Sequence, residues 1–150
     1  MAPTTNLTNR TIVLKGMGHH DEGEADAAIS PGMAVELAAD GLFDPVQSAQ
    51  AAALKTNLKI AKEDALQGKT IDDAYADGDV LFYYEPLPGD EINVLVKSGE
   101  NIAIADKLVV EAGGSGLFVE AAGSETKFQL EALEGPGALG ANTHVHCKVL

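Results

Sequence analysis

What most limits the folds open to this chain is its punctuation. Strand-forming runs such as Val80-Leu-Phe-Tyr-Tyr84 and Ile92-Asn-Val-Leu-Val96 are each cut short by glycine, proline or a polar turn. Runs of four to eight residues between turn signals belong to small β-sandwiches and barrels rather than to helical bundles. Seven or more such strands at close spacing predict a mainly β fold. The expected architecture is a small barrel or sandwich of short antiparallel strands, with one or two short helices and an extended N-terminal arm.

Along the chain, residues 1–10 are rich in Thr and Asn, contain Pro3 and carry almost no apolar side chains. They read as an arm outside a single β-rich domain spanning 11–150. The sequons at Asn6 and Asn9 are chance matches unless the protein is secreted. Thr11–Lys15 is the first expected strand, and Gly16–Glu24, with His19, His20, Asp21 and Glu22, reads as a polar loop. Ile29-Ser-Pro-Gly32 is a turn, since Pro31 presets φ and Gly32 tolerates positive φ. Met33–Leu37 is a short strand that returns through Asp40-Gly41 to Leu42-Phe43.

Asp44-Pro45 has the form of a helix start, continuing through the alanine-rich Val46–Leu54. For Asn57–Glu63 a short helix and then a strand are expected. The second half holds strands at Asp79–Glu85, Ile92–Val96, Lys107–Glu111, Leu117–Glu120, Lys127–Leu133 and His144–Val149. Pro86-Leu-Pro-Gly89-Asp90 and Ser98–Asn101 supply turns between them. Ile92, Val94 and Val96 alternate with Asn93, Leu95 and Lys97, the period of a strand with one covered face.

The chain also resembles itself. Ile29–Phe43 laid without gaps on Ile104–Phe118 aligns Val35 with Val110, Glu36 with Glu111, and Gly41-Leu-Phe43 with Gly116-Leu-Phe118. Two related strand–turn–strand units are the expectation, with Gly41 and Gly116 at equivalent tight turns.

Charge narrows the function. The chain holds 23 Asp and Glu against 10 Lys and Arg, a formal net charge of −13. A body so acidic repels phosphate backbones, so no direct nucleic-acid partner is expected. An acidic surface suits solubility, a saline environment or a partner with basic patches, and charge alone does not separate these. The single Cys147 allows no internal disulfide. The first ten residues lack the pattern of a signal peptide, and no apolar run approaches the ~20 residues of a membrane helix. The expectation is a protein that stays off membranes.

No motif announces catalysis. Adjacent residues such as His19-His20-Asp21-Glu22 rarely converge on one ion. His144 and His146 would share a strand face with Cys147 on the other, giving at most two ligands per chain unless an oligomer axis completes the set. The paired acids Asp72-Asp73 and Asp90-Glu91 fall at turns, where carboxylates usually serve backbone donors. Gly113-Gly-Ser-Gly116 lacks the lysine and helix of a phosphate loop. No enzyme activity, metal or cofactor is expected.

Three segments carry a family resemblance. Ile29-Ser-Pro-Gly-Met-Ala-Val-Glu-Leu37 with the Asp40-Gly41 turn is similar to the opening unit of the tailed-phage capsid cement (decoration) proteins. Gly68-Lys-Thr-Ile-Asp-Asp-Ala-Tyr-Ala-Asp-Gly-Asp79 resembles their central segment. Pro88-Gly-Asp-Glu-Ile-Asn-Val-Leu-Val96, followed by Asp106-Lys-Leu-Val109 and Gly116-Leu117, resembles their C-terminal half. The match runs in order over roughly residues 11–149. Ile104-Ala-Asp106 departs from it, because the family tends to carry Gly-Asp there; Ala105 implies a different local turn.

The resemblance implies a virion protein, made in the host cytoplasm. It would sit as a homotrimer on the outer capsid surface and bridge copies of the major capsid protein. The arm residues Pro3, Thr4, Thr5, Asn6 and Leu7 would touch the capsid. Pro31, Gly32, Gly41, Gly89 and Gly116 would shape the structural turns. Two other classes compete. Asn93–Ala112 has the pattern of a biotinyl or lipoyl carrier, but Gly113-Gly114 stands where a Met-Lys should follow. A carbohydrate- or receptor-binding β module would need an aromatic platform, and the chain has no Trp, with Tyr83-Tyr84 its only tandem pair. Alternation would put one of those rings in the core.

Overall fold

Strand Glu91–Val96 organises the molecule because it is bonded along both edges. In this computed structural model, which describes residues 11–46, 58–122 and 130–150, the strands in chain order begin with β1 (Val13–Lys15), β2 (His19–Glu24), β3 (Val35–Leu37) and β4 (Phe43–Pro45). They continue through β5 (Ile60–Ala61), β6 (Val80–Glu85), β7 (Glu91–Val96), β8 (Asn101–Ile102) and β9 (Lys107–Val110). The last four are β10 (Phe118–Glu120), β11 (Leu130–Ala132), β12 (Gly137–Ala138) and β13 (Thr143–Val149). The fold is mainly β, as the punctuation predicts; among the described residues the one helical element is a 3₁₀ turn at Ala65–Gln67.

β7, β10, β9, β11 and β13 close into a five-stranded barrel, with β13 returning to β7. The closing ladder is long, pairing Thr143 with Val96 through to Lys148 with Glu91. β10 joins β7 in parallel at Phe118 and Val96, while β1 takes the remaining length of that edge, pairing Val13 with Ile92. Closure leaves the barrel no open ladder to template aggregation. The interior is filled by Ile92, Val94, Val96, Leu108, Val110, Phe118, Leu130, Val145 and Cys147. Burying a side chain such as Phe118 is worth roughly 1.5–3 kcal/mol in transfer alone.

The alternation expected in β7 is overridden. Asn93 and Leu95 are buried as well as Ile92, Val94 and Val96. The outward positions are roofed: Asn93 Nδ2 donates to Thr11 O at 2.8 Å, and Leu95 N–H donates to Gly32 O at 2.9 Å.

A second core lies beside the barrel. β2, β6 and β5 form a three-stranded sheet, β3 and β4 a hairpin, and between them pack Ala25, Ile29, Val35, Phe43, Ala61, Tyr75, Leu81 and Tyr83. Tyr83 and Tyr84 are therefore both buried, not one of the two. Tyr84 enters the barrel core and Tyr83 the second core, because β6 is covered on each face.

Two local expectations are corrected. His19–Glu24 is a strand rather than a loop. Its polar sequence is recruited by a six-pair ladder to the aromatic β6, from His19 and Glu85 to Glu24 and Val80. Asp44-Pro45 starts no helix: Pro45 pairs with Val35 in the β3–β4 hairpin, and Val46 N–H extends the pairing by donating to Ala34 O. Proline is tolerated because this short strand needs few ladder donors. Residues 47–54 lie outside the described residues, as does the arm, 1–10.

The two strand–turn–strand units meet. Gly116 O accepts from Ala34 N–H at 2.8 Å. The β3–β4 hairpin sets Phe43 opposite Leu37, whereas the β9–β10 hairpin sets Phe118 opposite Val110, so their registers differ by two residues. Ile29 is buried and its counterpart Ile104 is exposed.

Candidate functional site

Thr11 and Ile12 are held firmly. Glu63 accepts from Thr11 Oγ1 at 2.6 Å and from Ile12 N–H at 2.9 Å. Asn93 bonds the same two residues through its side chain to Thr11 O and its N–H to Ile12 O. The chain entering at residue 11 is thus anchored across both β7 and the segment after β5. Nothing local in the sequence marks Glu63 for this role, because its partners lie some fifty residues away. The arm residues Pro3, Thr4, Thr5, Asn6 and Leu7 themselves fall outside the described residues.

The predicted turns are placed as follows. Gly32, Gly41, Gly89 and Gly116 all take positive φ, between 71° and 95°. Pro31 O receives the His144 ring, Nε2 at 2.8 Å, which pins the Pro31-Gly32 turn onto β13. His146 Nε2 lies 2.9 Å from Glu91 Oε1. The two histidines share a face, but each is committed to a different neighbour. Cys147 is buried on the other face, and burial pushes its thiol pKa up. Among the described residues no three His, Cys, Asp or Glu side chains are arranged to hold a metal.

His20 is set apart from the other residues of its quartet. Its Nδ1 lies 2.7 Å from Lys62 Nζ, and its ring sits 4.7 Å from that of Tyr84. Burial, then the Lys62 charge, hold its pKa below the usual histidine value. With Asp21, Glu22, Lys62 and Phe82 it lines a shallow groove of about 310 Å³.

Turn carboxylates serve the backbone. Asp73 accepts from Thr70 N–H, Asp79 from Ala76 N–H and Asp106 from Ala103 N–H, each at 2.7–2.8 Å. Asp90 does more. It is buried and takes the Tyr84 hydroxyl at 2.6 Å, Leu87 N–H at 2.9 Å and Met17 N–H at 3.2 Å. Burial by itself would raise its pKa; the bonds from Tyr84 and the backbone outweigh burial and hold it below the ordinary carboxylate value. Other acids stand together. Asp26 is raised by burial and then by the charges of Asp40, Asp44 and Asp77.

This assembly of barrel and side sheet has a likeness among solved structures. It is similar to the N base of the head fiber gp8.5 of bacteriophage phi29. The TM-score is 0.55 at 12% sequence identity, over 89% of this chain and 95% of that one. At that identity the likeness is one of fold. No protein-family model matches the chain, and no curated protein matches it either.

In this chain, paired charges brace the strands. Lys97 pairs with Glu111 and Lys107 with Glu131 across the barrel's outer surface. Of the described aromatic side chains, Phe43, Tyr75, Tyr83, Tyr84 and Phe118 are buried and Phe82 is half-buried. They form cores, not a stacking platform. No described helix is long and apolar enough to cross a membrane.

Proposed function

We propose that this chain is a structural protein of a phage head, bound to the outer capsid surface as a trimer that bridges neighbouring coat subunits. One observation carries the reading: a barrel with a side sheet whose solved likeness, across nearly the whole of both chains, is the base of a phage head fiber. The family resemblance of the three sequence segments points the same way. So does an acidic surface suited to a basic partner.

The physical mechanism is avidity. Three copies present three equivalent contacts, so modest individual interfaces gain about 10²–10⁴ in combined strength without any new contact. The barrel's closure and two cores make each copy rigid, which keeps the contacts in register. The arm extends the grip. Thr11 and Ile12 fix its origin, and its polar residues pair with an exposed strand edge of the coat protein. The protein needs no catalytic group, metal or cofactor to work in this way.

Sedimentation with undecorated phage heads tests the reading. We expect saturable binding and a higher temperature of head disruption. Deleting residues 1–10 should leave the free oligomer intact and weaken head binding; unchanged occupancy would reject the arm's role. Failure of the full chain to sediment with heads would reject the function.

A further inference from the structure

Three residues with exposed apolar side chains are tied to Asp90 through the backbone. Met17 is 87% exposed, and Leu87 and Leu150 are each 45% exposed. One residue ties their backbones together. Asp90 Oδ1 takes Met17 N–H, Oδ2 takes Leu87 N–H, and Asp90 O takes the N–H of Val149, next to Leu150. Met17 also stands between two glycines that the fold cannot replace. A Cβ on Gly16 would lie 2.3 Å from the Tyr84 hydroxyl oxygen, and one on Gly18 would lie 2.1 Å from Glu85 O. The flanking backbone presses into the body while the methionine projects. An apolar side chain held out on so well-anchored a segment loses little backbone entropy on docking. Methionine also adapts its shape to a facing surface.

Charge identifies the partner. Over the whole chain acids outnumber bases 23 to 10. The charged residues within two positions of Met17, Leu87 and Leu150 along the chain, Lys15, Glu85 and Lys148, each have an opposite charge facing them, from Glu91 or Lys59. Lys15 lies 3.7 Å from Glu91, Lys59 lies 3.8 Å from Glu85, and Lys148 faces Glu91 in the ladder. Asp26, by contrast, is repelled by Asp40, Asp44 and Asp77, and none of the four forms an ion pair with another described residue. A basic partner is drawn to those acids. A second copy of this chain, itself at −13, is repelled wherever charge is unbalanced and meets least repulsion at a neutral apolar patch.

We propose that Met17, Leu87 and Leu150 form the contact between copies of this chain. The proposal rests on the multi-copy part of the functional reading. The test is Met17→Asp with Leu87→Asp, in the full-length protein, measured by sedimentation equilibrium. Both side chains are exposed and both Asp90 bonds are to backbone, so the far-UV spectrum should not change. Association should weaken by at least about tenfold, toward the 15.5 kDa single chain. Leu37→Asp, at another exposed leucine, should leave it unaltered. A wild-type protein that is monomeric on its own, or a double variant as associated as wild type, would overturn the proposal. Wild-type monomers that still bound heads would overturn this contact and leave the head function standing. Association lost in the variant, with no head binding by wild type, would support the contact and sink that function.

Discussion

The Tyr84 hydroxyl donates to the Asp90 carboxylate at 2.6 Å while accepting from Gly18 N–H at 2.7 Å. This buried pair joins β6, the turn into β7 and the segment after β1. Tyr84→Phe removes a charge-assisted bond and strands the Gly18 donor, with an expected loss of about 1.5–3 kcal/mol in urea unfolding.

Asp90 makes part of the stability acid-labile. Its folded pKa lies below the unfolded value, so its contribution is complete above the unfolded pKa of about 4 and disappears as pH falls through the folded value. Asp90→Asn should therefore destabilise at pH 7, and its deficit relative to wild type should shrink below about pH 4 in a thermal-melt series. A deficit independent of pH would show that the carboxylate charge is immaterial.

Ala105 is the one non-glycine residue among those described with positive φ, at 73°. The chain keeps a glycine-type turn there without a glycine, and Asp106 accepts from Ala103 N–H. Its left-handed backbone carries a Cβ clash of about 1–2 kcal/mol. Ala105→Gly should stabilise, less the greater unfolded-state entropy of glycine, by about 0.5–1 kcal/mol. A lowered melting temperature would refute this.

Gly41 and Gly116 separate two uses of one residue type. Both have positive φ, but a Cβ at Gly41 meets nothing within 4 Å, whereas one at Gly116 would lie 2.6 Å from Ala34 O. Gly41→Ala should cost about 1 kcal/mol, for backbone strain alone. Gly116→Ala should cost more than about 2 kcal/mol, since it also forces apart the two hairpins. Equal losses would mean that the contact with Ala34 is soft.

Asp26 is raised above its ordinary value, by burial first and then by Asp40, Asp44 and Asp77. A raised acid contributes most below its unfolded pKa and opposes folding once charged. Asp26→Asn should raise the melting temperature at pH 7, with a smaller gain in concentrated salt, where the repulsion is screened.

Turn and strand chemistry was legible wherever it is local. Asp40-Gly41, Pro86–Asp90 and the strands of the second half follow from φ preferences and apolar runs that neighbouring residues impose on one another. His19–Glu24 and Asp44-Pro45 depart from their local signals for the same reason. Their own propensities favour a loop and a helix start, and only distant partners, β6 and β3, make them strands. The Glu63 clamp, the Asp90 network and the gathering of Met17 with Leu87 had no signal, since each joins residues remote in sequence.

By itself, then, the sequence determined a β-rich chain of short segments with a strongly acidic character, because turn conformation and net charge are properties of residues and their immediate neighbours. Barrel closure, the division of Tyr83 and Tyr84 between two cores, and the tie of Met17, Leu87 and Val149 to Asp90 were decided only in the tertiary structure. They depend on which surfaces meet, and that is a question of packing between segments, not of propensity within them.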